Sequence, residues 1–497
     1  MNLASIIDGA DADSVALISR GRSTTYGELR DQIDHLRGGL ASLGVSEGDR
    51  VALLCSNARH FVISYYATIG LGAVAVPLNP LSPARAIESE IATVGASVVV
   101  IEKLSATTWS GVDRSTVPTV IHVVTGDPAT VVDGRVLIDD LLEADPVERV
   151  DVDPDALCTL MFTSGTAGSP RAAMLTHRNL LSNIEQSLDA TDELTSHDVM
   201  YAVLPLFHIF GLNVTLNLGL AVGATVVLVQ RFDPVTAIDT IADRGVTLLP
   251  GSPSMWTAFA SFDHLEGSEF STIRLALSGA AKLPIPTARL MQDRFGLVIH
   301  EGYGLTEASP IVTWSPSGPA RFGSVGRVLD GMEVRLVNDD GDIPAGDVGE
   351  IWVRGPNVFA GYFGDSDATE TVLTSDGWLR TGDVATVDDD GYLWLVDRAK
   401  DLIIVSGFNV YPAEVEDVLA THPDVAGVGV VGVPHPHTGE AVKAFVVVAD
   451  GSDIDEETLI EFCLDHLARY KSPNKILFVD DLPRGITGKL LRRHLLA

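Results

Sequence analysis

The sequence predicts an α/β protein. A large N-terminal domain carries layered, mostly parallel sheets and a β-rich subdomain, and a small α+β domain follows. Three observations predict this. Strand and helix patterns alternate through the first part of the chain, which implies a largely parallel sheet covered on both faces. After about Gly323 the texture changes to short strands and tight turns. Beyond Arg398 a helix, two strands and a second helix make a compact unit.

The elements follow in order. Thr25 and Glu28 have the spacing of a capping box. Leu29, Ile33, Leu36, Leu40 and Leu43 then recur at helical spacing, and Gly44 ends the run. Val51 to Cys55 reads as a buried strand, His60 to Ile69 as a helix, Ala73 to Val76 as a strand and Pro77 to Pro83 as a turn. Val98 to Ile101 is a further buried strand. From Val199 to Gln230 there is no Asp, Glu, Lys or Arg, long enough to raise the question of a membrane span. Pro205, His208, Asn213, Asn217 and several glycines interrupt it, so we read a core helix followed by a buried strand at Ala224 to Val229.

In the later part, Glu333 to Val337 and Gly349 to Val353 read as strands, with turns at Asp339-Asp340-Gly341 and Asp388 to Gly391. The last unit comprises a helix at Pro412 to Ala420, strands at Val425 to Val433 and Ala444 to Val448, and a helix at Glu456 to Ala468. The domain boundary is placed near Asp397 to Asp401, giving domains of 1–397 and 398–497.

Composition narrows the function. An apolar share of 46% and a charged share of 20% over 497 residues suit a folded chain of several domain-sized units. A formal charge of −33 argues against nucleic acid or an anionic membrane as partner, since both need a basic surface. Cys55, Cys158 and Cys463 lie far apart with no metal-ligand spacing, and an odd, sparse count suits a reducing cytosol. Met1 to Asp13 shows no signal-peptide pattern. These readings point to a cytoplasmic protein without stable membrane insertion, for which a homodimer is an assembly to test.

The most informative segment is Phe162-Thr-Ser-Gly-Thr-Ala-Gly-Ser-Pro-Arg171, which follows the apolar run Leu157 to Phe162. Small residues let backbone N–H groups converge on an anion. Hydroxyls on Thr163, Ser164 and Thr166 add donors, and Arg171 adds a fixed positive charge. It is not a Walker loop, because G-x-x-x-x-G-K-[ST] does not occur. A flexible surface turn would not need so many small residues, a proline and a cation in succession.

This segment resembles the phosphate-binding loop of the adenylate-forming (AMP-binding) superfamily, in particular its acyl-CoA synthetase and 4-coumarate–CoA ligase-like branch. The family's other motifs occur in the same order across nearly the whole chain. The resemblance assigns Thr163, Ser164, Gly165, Thr166, Ala167, Gly168 and Arg171 to the phosphates of ATP. Gly279, Ala280 and Ala281 of Ser278-Gly-Ala-Ala281 resemble the adenine-binding strand end. Gly302-Tyr-Gly-Leu-Thr-Glu307 resembles the segment in which Tyr303, flanked by Gly302 and Gly304, stacks near adenine and Thr306 meets the α-phosphate. Glu307, with Thr166, is implied as a Mg²⁺ ligand. Asp383 of Thr381-Gly-Asp383 is similar to the residue that takes both ribose hydroxyls, and Arg398 to one that contacts the nucleotide. Lys400 matches the hinge of a mobile C-terminal domain, Ser406 and Gly407 the CoA tunnel loop, and Lys489 the catalytic lysine. His208 of Pro205-Leu-Phe-His-Ile-Phe-Gly211 matches a position near the substrate carboxylate. Taken singly, Tyr303 reads as well as a core aromatic, Asp383 as a turn cap, Lys400 as a solvated lysine and His208 as a core histidine.

The implied reaction is carboxylate + ATP + CoA to acyl-CoA + AMP + diphosphate through an acyl-adenylate, with Mg²⁺ required. The implied catalytic residues are Lys489, Thr306, Glu307 and His208. Amino-acid-activating relatives usually carry an aspartate where His208 stands, and the surrounding residues are apolar, so a fatty or aromatic acid is the expected substrate, with a role in lipid metabolism. Two positions depart from the family pattern: it usually has lysine then glycine where this chain has Arg171 and Ala172. A ligase that loads a carrier protein, and a degenerate nucleotide-binding non-enzyme, are the alternative readings.

Overall fold

The computed structural model describes residues 1–115, 117, 121–125, 135–163, 170–191, 194–263, 265–316, 321–338, 341–343, 346–398, 401–405, 408–436, 438–485 and 489–496, with backbone only at 121–124, 135, 342, 397–398, 409 and 493. The chain forms two compact units. The first comprises 1–322, 328–333 and 354–379, and the second 323–327, 334–353 and 380–497.

Two seven-stranded sheets organise the first unit, and each is parallel except for one hairpin at its edge. One runs, in spatial order, through strands Ile299–Glu301, Leu275–Ser278, Leu248–Gly251, Val199–Ala202, Thr225–Leu228, Val15–Ser19 and Arg22–Thr25. The other runs through Arg135–Leu137, Ile121–Val124, Val98–Ile101, Arg50–Leu54, Val74–Pro77, Leu157–Thr163 and Arg171–Thr176. Their central strands are apolar on both faces because helices cover both sides.

The sequence expectations hold in kind, with shifts of one or two residues at most ends, while the strand expected at Ala444 to Val448 begins at Gly439. The Tyr26–Ser42 helix starts on the full capping box, Thr25 accepting from the Glu28 amide and Glu28 from the Thr25 amide. Gly44, with φ +89°, takes the left-handed position just past its end. The Arg59–Gly70 helix is buried from Phe61 onward, as expected of a helix covered all round. Its Tyr65 hydroxyl lies 3.3 Å from Thr159 Oγ1 in one sheet, while Tyr66 donates to Asn217 Oδ1 at 2.8 Å.

The uncharged stretch folds as a helix and a strand, as expected: Phe210–Asn217 is a π-helix, Leu218–Ala221 one α-turn, and Thr225–Leu228 a buried strand. Among the described residues no helix is long and apolar enough to cross a membrane. All three cysteines are buried and unpaired.

In the second unit, strands Gly341–Asp342, Glu333–Asn338, Gly349–Arg354, Leu379–Val387 and Leu393–Arg398 form one five-stranded sheet. Another sheet is built on the long antiparallel pair Val425–His435 and Gly439–Val448, with Lys475–Phe478 running parallel to the latter. Helices Pro412–Leu419 and Glu456–His466 close a core of Val410, Val415, Leu419, Val430, Val442, Leu459 and Cys463.

Candidate active site

The two strands that flank the phosphate-loop candidate pair as a hairpin stem. Leu157–Thr163 pairs antiparallel with Arg171–Thr176, and Thr163 stands opposite Arg171. Ser164, Gly165, Thr166, Ala167 and Gly168 lie outside the described residues. The stem explains position 172: Ala172 is 1% exposed and packs in the core with Leu160, Val76 and Ile101. The extra methyl therefore faces apolar side chains.

Arg171 is held from two directions. Its Nε donates to Asp365 Oδ2 at 3.1 Å, and its guanidinium carbon lies 5.6 Å from the centroid of the Tyr362 ring. The segment carrying Tyr362 runs beside the hairpin stem. Met174 donates to Gly361 O, Ala360 to Met174 O and Phe363 to Ala172 O, at 2.8–2.9 Å. The Tyr362 hydroxyl donates to Glu307 Oε1 at 2.7 Å. Burial first, and the Glu307 charge second, raise the Tyr362 pKa well above the phenolic range, so the hydroxyl keeps its proton. The geometry thus joins Arg171 to Glu307, two residues singled out separately from sequence, through a tyrosine that was not.

The Gly302–Glu307 segment is built from close backbone approaches. Gly302 N donates to Ser278 O at 3.1 Å, which sets it against the Leu275–Ser278 strand end. A Cβ on Gly304 would lie 2.0 Å from Pro310 O, so only glycine fits. Tyr303 is 7% exposed. Thr306–Ala308 is a single 3₁₀ turn, and Phe359 N donates to Glu307 O at 2.9 Å.

At the strand end, a Cβ on Gly279 would meet the Phe210 ring at 2.8 Å. Ala280 follows with φ +69°, a left-handed conformation rarely adopted outside glycine, and Ala281 is half-buried. Phe210 begins the π-helix just after His208. The His208 Nδ1 accepts from the Phe210 amide at 3.3 Å, so in the neutral ring the proton sits on Nε2. The Asn213 carboxamide on the π-helix donates to Ser309 O at 2.7 Å and to Leu180 O at 3.2 Å. Asn217 donates to Asn213 Oδ1 at 2.9 Å. The Ser309 bond ties the helix to the turn that ends the Gly302–Glu307 segment.

Upstream, Asn57 is 4% exposed and clamps the approach to His208. Its Nδ2 donates to Ala202 O and Leu204 O, and its Oδ1 accepts from Leu206 N, all at 2.8–2.9 Å. Sequence reasoning passed over Asn57, met Asn213 only as a break in the uncharged stretch, and passed over Tyr362 and Asp365. A buried asparagine in an apolar stretch is the one sequence signal that could have found the first two.

In the second unit Asp383 and Arg398 are direct cross-strand partners. The Asp383 amide donates to Thr381 Oγ1 at 3.1 Å, and Gly382 N to Glu350 Oε1 at 3.0 Å. The Arg398 side chain, Lys400, Ser406 and Gly407 lie outside the described residues. Beside Lys489, Gly485 N donates to Lys489 O at 2.7 Å and Leu491 N to Pro483 O at 2.8 Å.

Comparison with known proteins shows the family. The family model for the AMP-binding enzyme matches residues 8–363, and that for the AMP-binding enzyme C-terminal domain matches residues 414–489. A feruloyl-CoA synthase of Amycolatopsis sp is 39% identical, the match covering 95% of this chain and 93% of that protein. A long-chain-fatty-acid–CoA ligase of Yersinia pestis is 36% identical over 97% of this chain and 91% of its own. The crystal structure of ATP-bound MatB from Rhodopseudomonas palustris superposes with a TM-score of 0.92 at 32% identity, covering 100% of this chain and 98% of that one.

Proposed function

The chain belongs to the AMP-binding enzyme family, and on that premise we propose that it is an ATP-dependent acid–CoA ligase acting on a fatty or aromatic acid whose tail is uncharged. The observation that carries the proposal is the joining of Arg171 and Glu307 through Tyr362 beside the phosphate hairpin. A fixed cation and a carboxylate side by side suit a triphosphate that arrives with its own counter-ion. The substrate class follows from His208, from the apolar residues around it, and from relatives named for feruloyl and long-chain fatty acids. Relatives matched along nearly their whole length and named as CoA ligases favour CoA over a carrier protein as acceptor.

The Mg²⁺ question can be put to the donor set. Among the described residues no cluster of three or more His, Cys, Asp or Glu could cage a metal. Glu307 offers a carboxylate already oriented by a hydrogen bond. That fits Mg²⁺, which keeps water and phosphate ligands and takes one or two carboxylates. Thr166 would add a hydroxyl. When bound, the ion neutralises charge on the phosphate oxygens.

The chain's own residues then do the following. Arg171, Thr163, Ser164, Gly165, Thr166, Ala167 and Gly168 hold the phosphates of ATP. Gly279, Ala280, Ala281 and Tyr303 take the adenine, Asp383 the ribose hydroxyls, and Arg398 the nucleotide. Thr306 and Lys489 bear on the α-phosphate, and His208 on the substrate carboxylate. A carboxylate oxygen attacks the α-phosphorus while the bond to pyrophosphate breaks; positioning and charge stabilisation supply the catalysis. CoA sulfur next attacks the acyl carbon and AMP leaves, with Ser406 and Gly407 forming the thiol's path. A turn of the domain 398–497 about Lys400 exchanges Lys489 for that loop. We assign the protein to the cytoplasm.

The test is release of pyrophosphate and AMP with a panel of acids, with and without CoA, and mass identification of thioesters. Acid-dependent turnover that requires CoA supports the proposal. Pyrophosphate release that stops near one turnover without any thioester points to a carrier-protein acceptor. No acid-dependent pyrophosphate from any member of the panel overturns the reading.

A further inference from the structure

We propose that Tyr362 is a positioning residue for adenylation, orienting Glu307 through its hydroxyl and Arg171 through its ring. This rests on the ligase reading above.

The argument is geometric. The two groups Tyr362 touches come from distant parts of the chain: Arg171 from the hairpin stem and Glu307 from the 3₁₀ turn after Gly304. A long arginine side chain and a half-buried glutamate each have several rotamers, and freezing them on substrate binding costs side-chain entropy. Here the freezing is done in advance. Tyr362 is 9% exposed, and its amide donates to Thr369 Oγ1 at 2.9 Å. Thr369 Oγ1 in turn donates to Asp365 O at 2.8 Å. The Phe359 ring packs edge-on against the Tyr362 ring, with centroids 5.0 Å apart.

Asp365 completes the bracket. Its Oδ1 accepts from Ala368 N at 3.0 Å, capping the Ser366–Val372 helix, while Oδ2 takes Arg171 Nε. The carboxylate is thereby fixed by the cap before it meets the guanidinium. Holding Arg171 by Nε and by one face orients the plane of the fork, whose other donors are on the Nη nitrogens. A lysine has neither a planar face nor an Nε–H, so this bracket suits the arginine that stands at position 171 in this chain.

The hydroxyl and the ring make separable predictions. Tyr362→Phe keeps the ring and removes the bond to Glu307, whereas Tyr362→Leu removes both. Binding of ATP is measured by calorimetry with Mg²⁺ and again in EDTA, alongside melting temperature. The Mg²⁺ concentration for half-maximal pyrophosphate formation is also measured. Loss of a hydrogen bond to a charged group predicts roughly tenfold weaker Mg·ATP binding in Tyr362→Phe, with metal-free ATP bound as in the wild type. Half-saturation by Mg²⁺ should rise in step. Tyr362→Leu should weaken metal-free ATP as well, because Arg171 loses its stacking face.

A merely structural tyrosine would lower melting temperature without separating the two ATP forms. Unchanged Mg·ATP binding in a folded Tyr362→Phe variant, or equal loss with and without Mg²⁺, overturns the inference while the ligase reading stands. A wild type that binds no ATP in either condition overturns both.

Discussion

Replacing Gly304 by alanine tests whether the nucleotide segment depends on one close backbone approach. The φ of Gly304 is not in the left-handed region, so alanine has no conformational objection. Space is the objection: its Cβ would stand 2.0 Å from Pro310 O and 2.7 Å from Pro310 C. Carbon–oxygen contact of about 3.5 Å requires the two strands to separate by about 1.5 Å. That movement breaks the Leu305 N–Pro310 O hydrogen bond of 3.1 Å. Overpacking of 1–3 kcal/mol plus about 1 kcal/mol for the bond gives a destabilisation of about 2–4 kcal/mol.

Thr306 and Glu307 follow directly and would move with the strand. A displacement near 1 Å at reacting groups costs about 100-fold in rate. The assay is acid-dependent pyrophosphate formation, with melting temperature alongside. Gly9→Ala is the matched control, because its Cβ meets nothing within 4 Å and should change stability by less than about 0.5 kcal/mol. A Gly304→Ala enzyme with kcat within about threefold of wild type and an unchanged melting temperature would refute the close-approach argument.

Three further predictions follow. His177 is fully buried, its Nδ1 accepts the Leu3 amide at 2.9 Å, and burial, then the amino terminus, push its pKa from 6.5 to about 4. The unfolded chain therefore binds the extra proton between those values. Stability is level above about pH 6.5 and falls on acidification toward about pH 4, this histidine accounting for about 2 kcal/mol by pH 5. Denaturation midpoints of wild type and His177→Gln across this range check it, and an equal pH slope in both would count against it. Asn57→Ala leaves buried backbone partners at Leu204 and Leu206 unpaired. It should cost on the order of 3 kcal/mol and raise KM for the acid more than KM for ATP; equal effects on both would contradict the clamp. Lys489→Ala should block adenylation and spare thioester formation from supplied acyl-AMP, and Gly407→Leu should do the reverse; loss of both half-reactions in both variants would sink the two-conformation mechanism.

Much of the fold was legible because local signals agreed. The capping box at Thr25 and Glu28, the apolar strand Val98 to Ile101 and the interrupted apolar stretch from Val199 all folded as read. Strand order was not legible. Val15–Ser19 lies beside Thr225–Leu228, and nothing local to either strand encodes a partner so far away in sequence. The Gly439–Val448 strand begins earlier than its apolar run because Glu440 and Lys443 occupy exposed or half-buried ladder positions. The π character of Phe210–Asn217 is not registered by periodicity; the helix carries tertiary bonds at Asn213, which donates to Ser309 O, and at Asn217, which accepts from Tyr66. At the site, motif residues could be named only through the family resemblance, and Tyr362 and Asp365 stand in a glycine- and aspartate-rich run that reads as turn. Their role exists only because the run returns beside the hairpin stem.

The Asn213–Ser309 bond bears on how this protein could be re-engineered. It places the helix next to His208 and the turn after Glu307 in one piece of framework. Redesign for a new acid would ordinarily begin by randomising the whole helix. Here such a library would also sample nucleotide-site geometry, and many of its members would be lost for reasons unrelated to acid preference. Diversity concentrated at Phe207 and Phe210, with Asn213 and Asn217 held constant and Gly279 varied only together with Phe210, would alter what the site admits while conserving the frame on which the chemistry is mounted.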